Sequence, residues 1–129
     1  MIKGIGIDSI EIARFTHWHL YSDAQLSRIF SETEIIYCRS TPVKTAERFA
    51  VRFAAREALF KALSNALPNH KIPFLRLCKA VSITKNHSGK PELAIKWKTI
   101  TDHDMQACTA WLSCTHTQTT ATALVILEK

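Results

Sequence analysis

The stretch RFAVRFAAREALFKAL, residues 48–63, constrains the fold more than any other part of the chain. At about 100° per residue of an α-helix, its phenylalanines and Leu63 fall on one side, and small apolar residues cover most of the rest. A helix that is apolar all round is typical of a buried element. The sequence therefore predicts a long central helix, with Thr41 as its N-cap, Pro42 in its first turn and Pro68 at its end.

Charged side chains nevertheless interrupt this helix. Arg48, Arg52 and Arg56 lie at i, i+4 and i+8, a ridge of like charges that destabilises a helix by a few tenths of a kcal/mol per pair unless an anion compensates it. Glu57 and Lys61 form a second ridge, in the order that favours an ion pair by ~0.2–0.5 kcal/mol on a solvated surface. So small a gain does not explain charges in a buried helix. The pattern predicts an anionic neighbour for the arginines.

The N-terminal stretch IKGIGIDSIEI is predicted to begin as a strand. Its alternation places Ile5 and Ile7 on one face, and Gly4, Gly6 and Asp8 on the other. Glycine inside a strand often marks a place where another backbone or a ligand comes close. Asp8 shares the face on which that approach is expected.

The positions of Asp8 and Glu57 are harder to explain by a structural role than those of the other carboxylates. Because burial of a lone carboxylate is unfavourable, Glu57 is expected to be paired, protonated or bound to a cation. Two carboxylates, with substrate phosphates and waters completing the shell, are a usual way to hold Mg²⁺. The competing interpretation is an ion pair between Glu57 and Lys61, with an Asp8 that ends its strand in a turn.

Local signals divide the rest of the chain into helices and strands. Two capping boxes, Ser22 with Gln25 and Ser31 with Glu34, predict two short helices in the first half. In the second half, residues 80–97 and 110–128 each predict a hairpin. In the first hairpin, which turns at Gly89, the facing apolar residues are expected to be Val81 and Ile83 with Leu93, Ile95 and Trp97. We therefore expect one α+β domain, residues 1–129, with a mostly antiparallel sheet packed against the long buried helix and short N-terminal helices.

Composition narrows the partners and the compartment. The net charge of +6 and the pI near 9.4 favour polyanionic partners. The four cysteines lack the spacing of a zinc ribbon and are expected to be reduced thiols. No apolar run approaches the ~20 residues of a membrane helix, and the N-terminus lacks a signal-peptide layout, so we expect a cytoplasmic protein without a membrane partner.

The stretch GIGIDSIEIARF, residues 4–15, resembles the N-terminal signature of the small holo-acyl-carrier-protein synthase type of 4′-phosphopantetheinyl transferase. RFAAREALFKAL, residues 52–63, is similar to the helix motif of the same family, and weaker similarities occur at 28–35, 89–93 and 112–117. The resemblance implies the family's fold and an enzyme that moves 4′-phosphopantetheine from coenzyme A onto a serine of apo acyl carrier protein. The products would be the holo carrier, for fatty acid biosynthesis, and adenosine 3′,5′-bisphosphate.

The resemblance also implies which residues form the catalytic centre. Asp8 and Glu57 match the family's metal-binding carboxylates, which would hold Mg²⁺ against the pyrophosphate of coenzyme A. Lys61 matches a basic position of the helix motif and completes the implied catalytic set. The family's small members form trimers with the active site between neighbouring subunits, an arrangement that would also cover a helix that is apolar all round.

Further residues are implied to bind the two substrates. The implied nucleotide contacts are Arg52 and Arg56 at the phosphates, Pro91 in a turn beside the adenine, and His116 beside the nucleotide. Arg14 and Arg28, with Lys44 as a helper, are implied to bind the acidic acyl carrier protein, toward which the positive net charge would steer the chain.

The chain departs from the family pattern at three places. Arg56 stands where the family usually has lysine, so its phosphate contact would differ. Ser9 replaces a hydrophobic residue. Residues 64–73 contain no glycine, whereas the family has a glycine-bearing loop there, so contacts of that loop with coenzyme A are not carried over.

Three other functions stay open on the sequence. A nucleic-acid-binding α+β module would fit the basic charge, although the chain has no RNP-type strand motif, KH loop or zinc-finger spacing. A histidine metal site could use His17 and His19, or residues 102–104, although no further ligands stand at a recognisable spacing. A scaffold could bind coenzyme A without transferring from it, which the presence of Asp8, Glu57 and Lys61 argues against.

Overall fold

The computed structural model describes residues 1–103, 105 and 108–129. The helices are α1 (Asp23–Leu26), α2 (Glu32–Arg39), α3 (Thr45–Ala66), α4 (Phe74–Ala80) and α5 (Trp97–Ile100), with 3₁₀ turns at Ile12–Phe15, Trp18–Leu20 and Pro42–Lys44. The strands are β1 (Ile2–Glu11), β2 (Val81–Lys85), β3 (Pro91–Ile95), β4 (Thr109–His116) and β5 (Thr120–Glu128). None of the described helices combines the length and the apolar character needed to cross a membrane.

The strands form two antiparallel sheets. β5 lies between β1 and β4 in one sheet, and β2 pairs with β3 in the other. The smaller sheet has the predicted register, with Val81 opposite Ile95 and Ile83 opposite Leu93. The expectation that Trp97 continues this pairing is wrong: Trp97 begins α5, and the chain on the other side of Val81 is helix α4, which offers no strand to pair with. Because α3 packs on the larger sheet, the predicted α+β class is confirmed.

Glycines allow α3 to lie directly on β1. A Cβ atom at Gly4 would be 2.0 Å from the carbonyl oxygen of Ala62, and one at Gly6 would be 1.9 Å from that of Ala58. The close approach that the strand glycines predicted is therefore that of a helix backbone. A side chain at either glycine would push α3 away from the strand, and Asp8 would move with respect to the helix.

The long helix is buried as predicted, although its first turn differs. Its fully buried residues include Phe49, Ala54, Ala55, Ala58, Leu59 and Leu63. Pro42 lies in a 3₁₀ turn that precedes α3, and Thr41 makes no side-chain cap hydrogen bond, so the predicted N-cap is wrong. The helix starts instead at Thr45, whose hydroxyl donates to the carbonyl oxygen of Cys38 at 2.8 Å. Its end at Ala66, shortly before Pro68, agrees with the prediction.

Two local predictions are confirmed and one helix was missed. Both capping boxes are present, at the starts of α1 and α2. Helix α4 was not predicted, although Phe74, Leu77 and Cys78 have the i, i+3, i+4 spacing of an apolar helix face. Its Phe74 ring packs edge-on against Phe53 and Phe60 of α3, with ring centroids 5.8 and 5.5 Å apart. α4 thus covers part of the apolar surface of α3.

Candidate active site

The two carboxylates singled out in the sequence lie on facing elements, Asp8 on β1 and Glu57 on α3. Lys61, one turn after Glu57, donates from Nζ to Asp8 Oδ1 at 3.2 Å and to the carbonyl oxygen of Ile7 at 2.9 Å. Asp8 is paired within the sheet with Ala123. The competing interpretation, a turn aspartate beside a Glu57–Lys61 pair, is wrong because Asp8 lies within a strand and is itself the partner of Lys61.

The surroundings of Glu57 disfavour its negative charge. Partial burial raises the pKa of Glu57, and the nearby charge of Asp8 raises it further, while Lys61 and Arg14 act in the opposite direction. Two carboxylates that share a small, partly desolvated space gain from a bound cation. Among the described residues, no group of three or more His, Cys, Asp or Glu side chains could hold a metal ion. A metal at Asp8 and Glu57 would therefore take its remaining ligands from substrate and water, as Mg²⁺ usually does.

The residues assigned to the carrier protein lie on the surface. Arg14 is exposed in the 3₁₀ turn that follows β1, close enough to Glu57 to lower the pKa of that carboxylate. Arg28 follows α1 and Lys44 ends the 3₁₀ turn before α3, and both are exposed. The structure thus brings Arg14, but not the other two, into the electrostatic surroundings of the carboxylates.

Arg56 has a different role from the predicted one. Its side chain has no exposed surface and forms a two-pronged ion pair with Glu34 of α2, with Nη1–Oε2 and Nη2–Oε1 distances of 2.9 and 2.6 Å. Its Nη2 also donates to the carbonyl oxygen of Val81 at 2.7 Å, and its Nε to that of Cys78 at 3.3 Å. The assignment of Arg56 to the nucleotide phosphates is therefore corrected, because its guanidinium is enclosed by the chain's own acceptors.

Glu34 is the anionic neighbour that the arginine ridge predicted, and sequence reasoning did not find it. Burial alone would raise the pKa of Glu34, but hydrogen bonding and the charge of Arg56 outweigh burial and hold it below its usual value. The sequence signal at Glu34 was the capping box, and the side chain does accept from the backbone N–H of Ser31 at 3.0 Å. The same carboxylate therefore caps α2 and neutralises the core arginine.

The other two arginines of the ridge lie against an aromatic ring. The guanidinium carbons of Arg48 and Arg52 are 4.1 and 4.6 Å from the ring centroid of Tyr37 on α2. Arg52 is only 7% exposed, and its Nη1 donates to the carbonyl oxygen of Arg48 at 3.2 Å. Both side chains thus point toward α2. The position of Arg52 is about 140° from that of Glu57 around the axis of α3.

Pro91 and His116 lie away from the carboxylate pair in sequence, on β3 and β4. Pro91 was expected in a turn, but it is the first residue of β3. The turn comprises the residues before it, including Gly89 with φ of 79°. Pro91 lines an open cavity of about 590 Å³ together with Lys90 and Trp111. His116 is half exposed, with its Nε2 3.2 Å from Glu47 Oε1 on α3.

Comparison with known families decides the relationship. Residues 4–125 match the model of the ACPS family, described as the 4′-phosphopantetheinyl transferase superfamily. The chain belongs to this family. The match includes both stretches on which the resemblance was based, and it covers the strand that carries Asp8 and the helix that carries Glu57.

Individual relatives of the ACPS family agree with this placement. A holo-[acyl-carrier-protein] synthase of a Geobacter species is 36% identical, and one of Treponema denticola is 34% identical; at least 99% of each pair of chains is aligned. The crystal structure of a holo-(acyl-carrier-protein) synthase from Bacillus anthracis in complex with CoA (3′,5′-ADP) superposes with a TM-score of 0.76. It is 30% identical, and the match covers 100% of this chain and 98% of that one.

The histidine alternative finds no support in the described part of the chain. His19 Nδ1 lies 3.0 Å from the carbonyl oxygen of Thr16, and both His17 and His19 are exposed. His103 faces His70, with their Nε2 atoms 2.5 Å apart, while Asp104 of the proposed 102–104 site lies outside the described residues. Membership of the ACPS family also favours transfer chemistry over the nucleic-acid-binding alternative.

Proposed function

We propose that this chain transfers 4′-phosphopantetheine from coenzyme A to a serine hydroxyl of apo acyl carrier protein and releases adenosine 3′,5′-bisphosphate. The observation that carries the proposal is the meeting of Asp8, Glu57 and Lys61 between β1 and α3 in a chain of the ACPS family. The names of the aligned relatives and the bound coenzyme A of the B. anthracis structure support the two substrates. The carrier of fatty acid synthesis is the acceptor that we propose.

Asp8 and Glu57 fit a Mg²⁺ ion, on which we propose that the reaction depends. Burial and then the neighbouring charge of Asp8 raise the pKa of Glu57, so a cation bound by both carboxylates would stabilise their ionised forms. When bound, Mg²⁺ would neutralise the negative charge that develops on the leaving phosphate. Lys61, which bridges Asp8 Oδ1 and the Ile7 carbonyl oxygen, fixes the orientation of the Asp8 carboxylate. The Lys61 side chain is half exposed, so it remains available to substrate phosphates.

The carrier protein would approach from the side of Arg14. This arginine is exposed at the end of β1 and acts electrostatically on Glu57, so an acidic surface bound there would lie beside the carboxylates. Arg28 is assigned to the same acidic partner. Exposed ion pairs contribute only about 0–1 kcal/mol each, so the net charge of +6 serves mainly to speed the encounter.

We also propose that the active form is a homotrimer with the sites between subunits. The outward face of the larger sheet is apolar: Ile5, Ile7 and Trp111 are 51%, 58% and 57% exposed. Such a surface is typical of a face that a partner covers. Arg52 and Glu57 point to different sides of α3, so a nucleotide held at the carboxylates of one chain would meet the arginine side of a neighbouring chain.

The transfer is tested by incubating the protein with coenzyme A, Mg²⁺ and an apo acyl carrier protein, then measuring the intact mass of the carrier. The proposal predicts a gain of one phosphopantetheine that disappears when a chelator is added and returns with excess Mg²⁺. A carrier serine changed to alanine is the control. If no carrier gains mass although coenzyme A binds, the chain is a scaffold, and the proposed transfer is wrong.

A further inference from the structure

The net positive charge of the chain comes from one segment. Residues 62–101 contain seven of the 17 Lys and Arg residues but one of the 11 Asp and Glu residues, Glu92. The rest of the chain contains ten of each type, so its basic and acidic charges cancel. The whole net charge of +6 is therefore carried by the end of α3, by α4 and α5, and by the hairpin of β2 and β3.

Four of these cations belong to helices α4 and α5. Arg76 and Lys79 are three residues apart on the exposed face of α4, and the exposed Lys96 and Lys98 lie at the start of α5. The two helices pack against each other. The backbone N–H of Lys96 donates to the carbonyl oxygen of Ala80, the residue after Lys79, at 2.9 Å. The four cations thus lie on adjoining parts of the surface.

Apolar side chains lie among these cations. Leu75 of α4 is 55% exposed, and Lys79 follows it by one turn on the same face of the helix. On α5, Lys96 and Lys98 flank Trp97, and all three line an open cavity of about 450 Å³. We call the following residues the α4–α5 surface: Leu75, Arg76, Lys79, Lys96 and Lys98.

The charge of the α4–α5 surface is not neutralised within the described part of the chain. None of the ion pairs found there includes any of its four cations. Glu92, the one carboxylate of residues 62–101, accepts instead from Asn86 Nδ2 at 3.0 Å. A group of like charges without counterions is complementary to an anionic partner.

The composition of the α4–α5 surface indicates which polyanion fits. A lysine side chain can lay its methylene stem along apolar surface and hold its ammonium group at the level of phosphates, and an exposed leucine beside it gains from insertion among acyl chains. Single-stranded nucleic acid is usually bound through aromatic rings that stack on bases. The aromatic ring at this surface, that of Trp97, is half-buried. A lipid bilayer therefore fits better than a nucleic acid.

We propose that the α4–α5 surface binds the chain to membranes that contain anionic phospholipids, with its four cations at the headgroup phosphates and Leu75 inserted below them. The expectation of a chain without a membrane partner rested on the lack of a spanning segment and of a signal peptide, neither of which peripheral binding requires. The inference does not depend on the proposed function, since none of these residues belongs to the proposed catalytic centre.

Binding to vesicles tests this proposal. The bound fraction of the full chain is measured by sedimentation with vesicles of phosphatidylcholine alone and of equal parts phosphatidylcholine and phosphatidylglycerol. We expect the wild type to bind the mixed vesicles only. The double variant Lys79→Gln, Lys98→Gln should need about 10-fold more lipid for half-binding, because each cation near an anionic surface adds to the affinity. Leu75→Gln should also weaken binding, and its effect should persist at high salt, which screens the cations.

A matched control removes the same charge elsewhere. Lys3 and Lys129 are exposed and lie in and next to the larger sheet. The double variant Lys3→Gln, Lys129→Gln should change the lipid needed for half-binding by less than about twofold. The variant at Lys79 and Lys98 should keep its circular dichroism spectrum and its rate of transfer to a soluble carrier protein, so a loss of vesicle binding is separable from a failure of the proposed function.

Four results would overturn the proposal. The wild type could fail to bind the mixed vesicles at low salt, or bind neutral vesicles equally well. The two double variants could lose equal affinity, which would mean that net charge alone acts. Finally, the wild type could bind a single-stranded oligonucleotide more tightly than the mixed vesicles at equal phosphate concentration, with the same dependence on Lys79 and Lys98, which would assign the α4–α5 surface to nucleic acid.

Discussion

The two charged sides of α3 look alike in sequence and differ in structure. On the side of α2, Arg56 is fully buried and its donors are used by Glu34 and by backbone carbonyl oxygens. On the side of β1, Glu57 is partly exposed, its pKa is raised, and Lys61 is half exposed. Removing the partner of a buried, fully hydrogen-bonded charge destabilises the fold, whereas a charge left without full compensation is available for chemistry.

The largest expected effect concerns the side of α2. Glu34→Gln leaves Arg56 buried without its countercharge, and breaking a buried pair in this way costs about 3–5 kcal/mol. We expect a loss of that order in the free energy of unfolding, measured by urea denaturation at pH 7. Glu32→Gln, an exposed carboxylate on the same helix, is the control and should change the free energy of unfolding little. An equally small effect of Glu34→Gln would show that the pair contributes nothing to the fold.

The pH dependence of stability follows from the same pair. The folded pKa of Glu34 is lower than the unfolded one, so its stabilising contribution is present above the unfolded pKa and is lost as the pH falls through the folded pKa. The difference in unfolding free energy between the wild type and Glu34→Gln should therefore shrink below about pH 4. A difference that stayed constant down to pH 2.5 would contradict the assigned pKa direction.

On the side of β1, the expected loss is in activity. Asp8→Asn removes a negative charge from the carboxylate pair, and loss of one preorganised electrostatic group lowers turnover by about 10²–10³-fold. The transfer rate at saturating coenzyme A is the measurement, and thermal unfolding shows whether the fold is retained. Glu11→Gln, an exposed carboxylate further along β1, should transfer at the wild-type rate.

Mixing two inactive variants tests whether the two sides of α3 from different chains share one site. Asp8→Asn and Arg52→Ala, unfolded together and refolded at equal amounts, should recover about a quarter of the wild-type rate, because random assembly places both native residues at about a quarter of sites. Mixing without refolding is the control. No recovery, in a sample that light scattering shows to be trimeric, would place both residues in a site within one chain.

The smallest expected effect is the change in stability on replacing Glu57, and its sign is opposite to that expected for Glu34. The pKa of Glu57 is raised by burial and by Asp8, so ionisation of Glu57 destabilises the folded state relative to the unfolded state. Glu57→Gln should therefore leave the melting temperature at pH 7 unchanged or slightly raised, in contrast to Glu34→Gln. A clear fall in the melting temperature would mean that Glu57 supports the fold.

Local patterns predicted much of the architecture. The apolar residues of α3, the alternation around Gly4 and Gly6, and both capping boxes identified elements that the structure contains. These signals act over a few residues and follow from backbone geometry, so a single sequence carries them. The carboxylate pair was also within reach, because a charged residue in a buried helix and a glycine-lined strand face are both unusual.

Partners that are distant in sequence were beyond those patterns. Glu34 and Arg56 are 22 residues apart, and the capping box already explained Glu34, so nothing indicated that its carboxylate also binds an arginine. The same holds for Tyr37 and Lys85, which are 48 residues apart. Arg56 was consequently assigned to a ligand. Only the packing of α2 against α3 shows which ridge is already compensated.

The most direct test of the difference between the two sides is the single-turnover transfer rate of Glu57→Gln beside that of Glu34→Gln. It is measured with saturating coenzyme A and Mg²⁺ at a low temperature, where circular dichroism shows both variants to be folded. We expect Glu57→Gln to be folded and to transfer at least about 100-fold more slowly than the wild type, and Glu34→Gln to be less stable but to transfer within a few-fold of the wild-type rate. Transfer by Glu57→Gln at close to the wild-type rate would show that the carboxylate of Glu57 is not part of the catalytic site.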